Sequence, residues 1–323
     1  MRRMDELELA VGAVAQAAKL TSAVQARREA VAAATKKDRS PVTVADYGAQ
    51  ALVCRLLTEH FPDDGILAEE HSAELLVSGG GELGAPLVAA VGETLGADPS
   101  LEEICAWLEG GRGIESGRRW ILDPVDGTKG FLRGGQYAIA LALLDEDGLR
   151  LGVLGCPNLP CGEQTGCLLF AERGRGAFQA PICDTSQRER ISASEEENPA
   201  QLVFVESVES GHADHGSHAR ICAALGATGE PLRMDSQAKY AAVARGDASV
   251  YLRLPNPKTP DYRQKAWDHA AGALLVTESG GRATDISGKK LDFSAGPKLV
   301  NNRGVVATNG RCHDEVIAAI AGL

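Results

Sequence analysis

The 323-residue sequence predicts a mixed fold, α+β in its first part and α/β in its second, and three observations carry that expectation. Three β-prone runs, "YAIALALLD", "LRLGVLGC" and "GCLLFAERGRGAFQ", follow one another with only turn residues between them, the pattern of an antiparallel sheet. From Gln201 onward β-like and helical segments alternate, in "LVFVES", "HADHGSHARICAAL", "EPLRM", "SQAKYAAVARG", "ASVYLRL", "AWDHAAGALLVTESGG" and "GVVAT". At the other end, Leu7, Ala10, Val11, Val14, Ala17 and Ala18 fall at helical spacing, so residues 5 to 33 read as one long amphipathic helix. A boundary near residue 190 then divides an N-terminal α+β domain, 1–190, from a C-terminal α/β domain, 191–323.

The remaining elements follow in chain order. "TKKDRSPVTVADYGAQALVCRLLTEHF" places a turn before a second helix that begins near Asp46. "DDGILAEE" is a short strand ending in Glu69 and Glu70. Residues 71–117 are Gly-rich and helical by turns, without strand alternation, and read as an inserted lid-like region. "RRWILDPVDGTKGFLRGG" is an apolar run that ends at Asp123 and Asp126, on either side of a proline.

Composition narrows the function. With 44% hydrophobic residues the chain can bury a large core, and 44 acidic against 33 basic residues give a net charge of -11, which excludes wrapping duplex nucleic acid. A small phosphorylated substrate is compatible, provided local cations or metals receive it. The first twenty residues carry acids inside the apolar run and no cleavage pattern, so neither a signal peptide nor a membrane span is expected, and the reading is a cytoplasmic protein. Eight cysteines without C-x-x-C pairs or zinc spacing suit reduced thiols.

The acids carry the chemistry. Asp123 and Asp126 can face one point, Gly127 permits close approach, and Thr128 adds a hydroxyl. Two carboxylates beside a backbone carbonyl are ligands that Mg2+ prefers, and the same letters also describe an Asp-Pro turn followed by a helix cap. Glu69 ends a strand, and Asp268 sits at the start of the helix in "KAWDHAAGALL". Singly, these are an edge residue and a helix-dipole charge; together, four carboxylates can hold two or more cations about 3.5 to 4 Å apart, enough for phosphoester hydrolysis.

"WILDPVDGTKGF" with "AWDHAAG" resembles the paired signatures of the inositol monophosphatase superfamily. "DRSPVTVADYGAQ", "DSQAKY" and "VYLRLP" are similar to its 3'(2'),5'-bisphosphate nucleotidases, and the likeness runs from Ala33 to Asn309, outside the lid-like region. The resemblance implies a layered sandwich of sheets and helices, two domains with the active site in the cleft between them. It implies a monomeric enzyme that uses two or three Mg2+ to remove the 3'-phosphate of adenosine 3',5'-bisphosphate, and that also converts PAPS to APS. It places Glu69, Asp123 and the Val125 carbonyl at one metal, and Asp123, Asp126 and Asp268 at a second. Asp46 and Thr128 become the pair that activates water, with Asp46 also near a third metal. Gly127 and Thr128 contact substrate, Ser236, Lys239 and Arg253 hold the 5'-phosphate and adenosine, and His212 stacks near the base, with Glu209 where relatives carry a further histidine. An inositol phosphate phosphatase shares the metal core, and a bisphosphate sensor shares the binding groups; retention of Asp46 and Thr128 argues against the sensor.

Three other signals are weighed and set aside or kept apart. "GGGELG" matches G-x-G-x-x-G but lacks an enclosing βαβ unit. His212, His215 and His218 lack a fourth metal ligand and read as a solvated helix face. Cys156 and Cys167, with Cys161, flank a hairpin-like connection where cross-strand neighbours come within disulfide range, so buried thiols are the default and a redox-responsive bridge is the alternative.

Overall fold

The computed structural model describes residues 5–27, 33–35, 41–78, 80–114, 117–208, 215–256, 258–259 and 261–323. Helix α1 (Glu6–Ala26) starts at Asp5, whose carboxylate accepts the Leu7 N–H. It ends at Arg27, short of the expected residue 33, because Ala33–Thr35 forms strand β1 and spends its backbone groups on antiparallel pairing with β2 (Pro41–Thr43). By length and composition α1 alone among the described helices is apolar enough to cross a bilayer, yet 56% of that stretch is buried within the fold. Thr43 caps α2 (Val44–His60), with Asp46 completing a capping box.

Strand β3 (Gly65–Ala68) is followed by α3 (Ser72–Ser78), α4 (Gly80–Leu95) and α5 (Leu101–Leu108), which occupy the region expected to be lid-like. Leu75, Leu83, Leu87, Val91, Ile104 and Leu108 of these helices bury against Leu20 of α1 and Tyr47, Ala51 and Leu52 of α2. Each fully buried leucine there contributes roughly 1.5–3 kcal/mol, so the three helices are a packed layer on α2. Gly80, Gly81 and Gly84 of "GGGELG" lie in α4, and the element described before it is the helix α3, not a strand.

Strands β4 (Arg119–Asp126), β5 (Ala138–Asp145), β6 (Gly148–Cys161), β7 (Gln164–Glu172), β8 (Gly176–Pro181) and β9 (Glu189–Ile191) complete a seven-stranded sheet with β3, and the short helix α6 (Thr128–Arg133) links β4 to β5. Only β3 pairs parallel, across the α3–α5 crossover; the other neighbours are antiparallel, as the hairpin signals predict. Side chains alternate across this sheet. Trp120, Leu122, Ile139, Leu141 and Val153 face α1 and α2, whereas Ile121, Ala140, Ala142 and Leu154 face the opposite way.

After Ile191 the chain enters a second, five-stranded sheet in the order β11-β10-β12-β14-β13. It comprises β10 (Phe204–Glu206), β11 (Leu232–Arg233), β12 (Val250–Arg253), β13 (Arg282–Thr284) and β14 (Val305–Thr308), interleaved with α7 (His215–Leu225), α8 (Ala238–Ala244), α9 (Ala270–Glu278) and α10 (His313–Ala321). Helices α8 and α9 lie between the two sheets in one continuous core, and α7 and α10 cover the outer face. The result is five alternating layers of helix and sheet. Gly272 of α9 sits where any Cβ would enter the Tyr240 ring of α8, which is what lets these two helices pack so closely.

Candidate active site

The proline between the two aspartates lies inside β4, in a bulge, and not in a turn beyond the strand. Asp123 pairs with Ala140 and Asp126 with Ala138, so the register shifts between them. Pro124 has no N–H to give the ladder, and the Val125 N–H turns back to Asp123 Oδ1 at 3.2 Å. The bulge therefore sets Asp123, the Val125 carbonyl and Asp126 at one end of the strand.

Gly127 then takes φ 86°, a left-handed conformation, and a Cβ there would meet the Ser236 Cβ at 2.9 Å. This close approach brings the second sheet's "DSQAKY" loop onto the first sheet's acidic end. The backbone N–H of Gln237 donates to Asp126 Oδ2 at 2.5 Å, and Arg133 Nη2 donates to Asp235 Oδ2 at 2.6 Å.

Thr128 opens α6 and its hydroxyl lies 3.3 Å from Asp46 Oδ1 and 3.2 Å from the Val125 carbonyl. The other Asp46 oxygen, Oδ2, accepts the Thr43 N–H at 2.8 Å and the Thr43 hydroxyl at 2.7 Å. Asp46, 82 residues from Thr128 in the chain, is thus joined to Thr128, Val125 and Asp123 in one network.

A cleft of about 210 Å³ collects most of the expected residues: Asp126, Gly127, Thr128, Ser236, Lys239, Arg253 and Asp268. Burial pushes the Asp126 carboxyl up to about 6, with Lys239 and the Gln237 N–H opposing and Glu69 adding to the rise. Asp268 is raised well above the usual carboxylate range by burial, then by Asp126 and Glu69. Burial pulls the Lys239 ammonium down to about 8, and Asp126 opposes that fall. Crowded acids beside buried or half-buried cations are the physical character of this cleft.

The acids suit a divalent cation, because a positive ion would relieve the repulsion that Asp126, Asp268 and Glu69 exert on one another. Among the described residues no three His, Cys, Asp or Glu side chains already converge on a single point. Mg2+ tolerates that, since it keeps several waters and shares substrate oxygens.

Sequence reasoning missed several contributors. Ser207, Asp235, Gln237, Tyr251 and His269 also line the cleft. Gln237 and His269 lie inside quoted motifs, but nothing in a motif says which way a side chain points. Gln237 Nε2 donates to the Trp267 carbonyl and its Oε1 accepts the Gly272 N–H, tying α8 to α9. Tyr262, 50% exposed, reaches Arg253 with its hydroxyl.

Other expectations fall differently. Glu209 and His212 lie outside the described residues. His218 is not on a solvated face: it is 6% exposed, with Nδ1 3.3 Å from Glu206 Oε2, because α7 packs its first turn against the end of β10. Cys156 and Cys167 are direct cross-strand partners in β6 and β7, both buried and unbonded, and burial pushes the Cys156 thiol up to about 12 and raises that of Cys167.

A layered sandwich with an acidic cleft of this kind defines the class, and the chain belongs to the inositol monophosphatase family, which it matches over residues 3–322. The fold agrees with an inositol monophosphatase from Thermotoga maritima (TM-score 0.68, 24% identity, 99% of this chain and 98% of that one) and one from Anabaena (0.65, 21%, 98% and 95%). In sequence the chain is 43% identical over 337 residues to a 3'(2'),5'-bisphosphate nucleotidase of Oryza sativa, covering 98% of this chain and 93% of that protein. It is 43% identical over 317 residues to the enzyme of that name from Emericella nidulans (88% and 89%) and 41% identical over 338 residues to that of Schizosaccharomyces pombe (98% and 95%).

Proposed function

We propose that the protein is a magnesium-dependent 3'(2'),5'-bisphosphate nucleotidase that hydrolyses adenosine 3',5'-bisphosphate to AMP and phosphate, and PAPS to APS. The observation that carries this reading is that buried or half-buried acids and cations line one cleft. An enzyme acting on a bisphosphate must receive one phosphate among metal-binding acids and hold another on fixed cations, and Lys239 and Arg253 line the same cleft as Asp126 and Asp268.

Glu69, Asp123 and the Val125 carbonyl would hold one Mg2+, and Asp123, Asp126 and Asp268 a second, with Asp46 beside a third. The bound cations supply charge to the transferring phosphoryl group and the polarisation that makes water nucleophilic at neutral pH. Thr128 and Asp46 handle the proton. When the Thr128 hydroxyl gives its one hydrogen to Asp46 Oδ1, and not to the Val125 carbonyl 3.2 Å away, its lone pairs are left for the attacking water. As the water attacks, its proton passes to the Thr128 oxygen while the Thr128 proton passes to Asp46. Thr43 holds Asp46 Oδ2 throughout, so the carboxylate does not rotate away.

The far phosphate is bound without being cleaved. Lys239 and Arg253 neutralise it, Ser236 adds a neutral hydroxyl, and Gly127, lacking a Cβ, lets the Ser236 loop come close enough to present it. The relatives named for bisphosphate nucleotidase activity support this choice over an inositol phosphate phosphatase.

Phosphate release with Mg2+ over a panel of adenosine 3',5'-bisphosphate, PAPS and inositol phosphates tests the reading. The highest kcat/KM is expected for adenosine 3',5'-bisphosphate. Faster turnover of inositol phosphates would replace the reading, and tight binding of the bisphosphate without phosphate release would make the protein a sensor.

A further inference from the structure

Gln50 lies one turn after Asp46 on the same side of α2, and it is 0% exposed. Its side-chain amide closes on the main chain of a single residue: Nε2 donates to the Glu70 carbonyl at 2.7 Å, and Oε1 accepts the Glu70 N–H at 2.8 Å. Neither role can be exchanged, because a main-chain N–H only donates and a carbonyl only accepts. Nε2 also donates to the carbonyl of Leu108, the last residue of α5, at 3.2 Å. A second donor, Arg112 Nη2, reaches the same Glu70 carbonyl at 2.7 Å.

The clasp acts on Glu69, the residue before it. Glu69 lies just past β3, and its own N–H donates to the Leu122 carbonyl of β4 at 3.3 Å. The pairing of β3 with β4 ends at Ala68, so the Gln50 amide stands on Glu70 where a neighbouring strand would otherwise continue the ladder. The peptide group before Glu69 is therefore held by the sheet, and the one after it by α2. Those two planes define φ and ψ of Glu69, which gives its Cβ one direction. The Glu69 carboxylate so placed is near enough to Asp126 and Asp268 to push both of their carboxyls up.

We infer that Gln50 is a positioning residue for the metal site: by clasping both main-chain groups of Glu70 it fixes the direction in which Glu69 projects. The inference rests on the reading of Glu69 as a magnesium ligand. It gives α2 two tasks, since Asp46 faces Thr128 and Gln50, one turn on, governs Glu69. It also gives α5 and Arg112, in the region expected to be lid-like, a part in holding the site. Loss of an outer partner of this kind typically costs about 10- to 100-fold in metal affinity or activity.

The test uses the full chain and reads Mg2+ binding apart from turnover. Metal-stripped protein is melted over a Mg2+ titration without substrate, and the Mg2+ dependence of phosphate release from adenosine 3',5'-bisphosphate is measured alongside. Gln50→Met removes the amide at similar length. The Mg2+ concentration at which the melting temperature begins to rise, and that for half-maximal rate, should each move up about tenfold, while KM for the bisphosphate at saturating Mg2+ stays within about twofold of wild type. Leu52→Ala, also buried on α2 but packed against the α3–α5 helices, should lower the melting temperature in chelator without moving either concentration. If Gln50→Met does not fold, Arg112→Leu is read in its place; it removes the second donor to the Glu70 carbonyl from a side chain 26% exposed and should shift both concentrations the same way. An unmoved Mg2+ titration, or one moved equally by Leu52→Ala, would overturn the inference. Glu69→Gln separates the two readings: it should shift the titration at least as far as Gln50→Met. A wild-type titration in that variant overturns Glu69 as a ligand, and the role of Gln50 falls with it.

Discussion

The backbone N–H of Gln237 donates to the carboxylate of Asp126 across 111 residues of chain. One residue stands at the acidic end of the seven-stranded sheet, and the other opens the helix that carries Lys239. The hydrogen bond ties Asp126 to the start of the helix that carries Lys239, so the spacing between that carboxylate and that ammonium is set by the fold.

Replacing Asp126 with Asn should abolish most turnover while the fold survives, because a ligand charge is removed at constant shape. Asp126 and Asp268 repel one another when no cation is present. The variant should therefore be no less stable than wild type in chelator, yet gain less melting temperature on adding Mg2+. Normal turnover at saturating Mg2+ would count against Asp126 as a ligand. Lithium, a competitor at magnesium sites in this family, should inhibit wild type, and flat rates across a lithium titration would contradict that.

Thr128→Ala and Asp46→Asn should each lower kcat strongly with little change in substrate affinity, and the double variant should lose little beyond the worse single one. The structure separates them in stability. Asp46 also caps α2 through Thr43, so Asp46→Asn should cost about 1 kcal/mol in urea unfolding, whereas Thr128→Ala should cost less. Multiplicative kinetic losses would show that the two do not share one proton.

Lys239→Ala and Arg253→Ala should each reduce kcat/KM for adenosine 3',5'-bisphosphate by about ten- to a hundredfold, the range for a hydrogen bond to a charged group. On adenosine 3'-monophosphate, which lacks the 5'-phosphate and should be a poor substrate of wild type, the change should be small. Equal losses on both would remove these residues from recognition of the second phosphate.

His313 should make the fold sensitive to acid. Burial, then Arg282, pulls its imidazole from 6.5 down to about 4, with Thr284 and Thr308 hydroxyls on its two nitrogens. Between those values the unfolded chain binds the proton and the folded one does not. The stability contributed is therefore complete above pH 6.5 and lost as the pH falls toward 4. Urea midpoints at pH 7 and pH 5 should differ less in His313→Gln than in wild type; identical differences would mean that His313 titrates normally.

Cys156 and Cys167 face one another across β6 and β7, but buried thiols with raised pKa values are poor nucleophiles. Under mild oxidation of the native protein the exposed Cys183 should react first, and a Cys156–Cys167 bridge should form only when denaturant or higher pH opens the hairpin. Peptide mapping that finds the bridge at once in native protein would show a readier switch, and finding neither thiol bridged under opening conditions would end the redox reading.

The sequence by itself determined the antiparallel run of β5, β6 and β7, the α/β character after Gln201, and the acids that gather at the cleft. Those features are local: alternation sets strand faces, and the two aspartates lie close together in the chain, whereas the placing of Pro124 in a bulge inside β4 came only with the pairing to β5. Only the tertiary structure decided that α1 stops at Ala26, that His218 is buried against Glu206, and that Lys239 loses its solvent. It alone set the hydrogen-bonded Arg253–Gln264–His269 chain. The burial of Lys239 and the place of His269 depend on how α8 and α9 are clamped between two sheets. The hydrogen bonds that result join residues whose separation along the chain carries no periodic signal, so no reading of spacing reaches them.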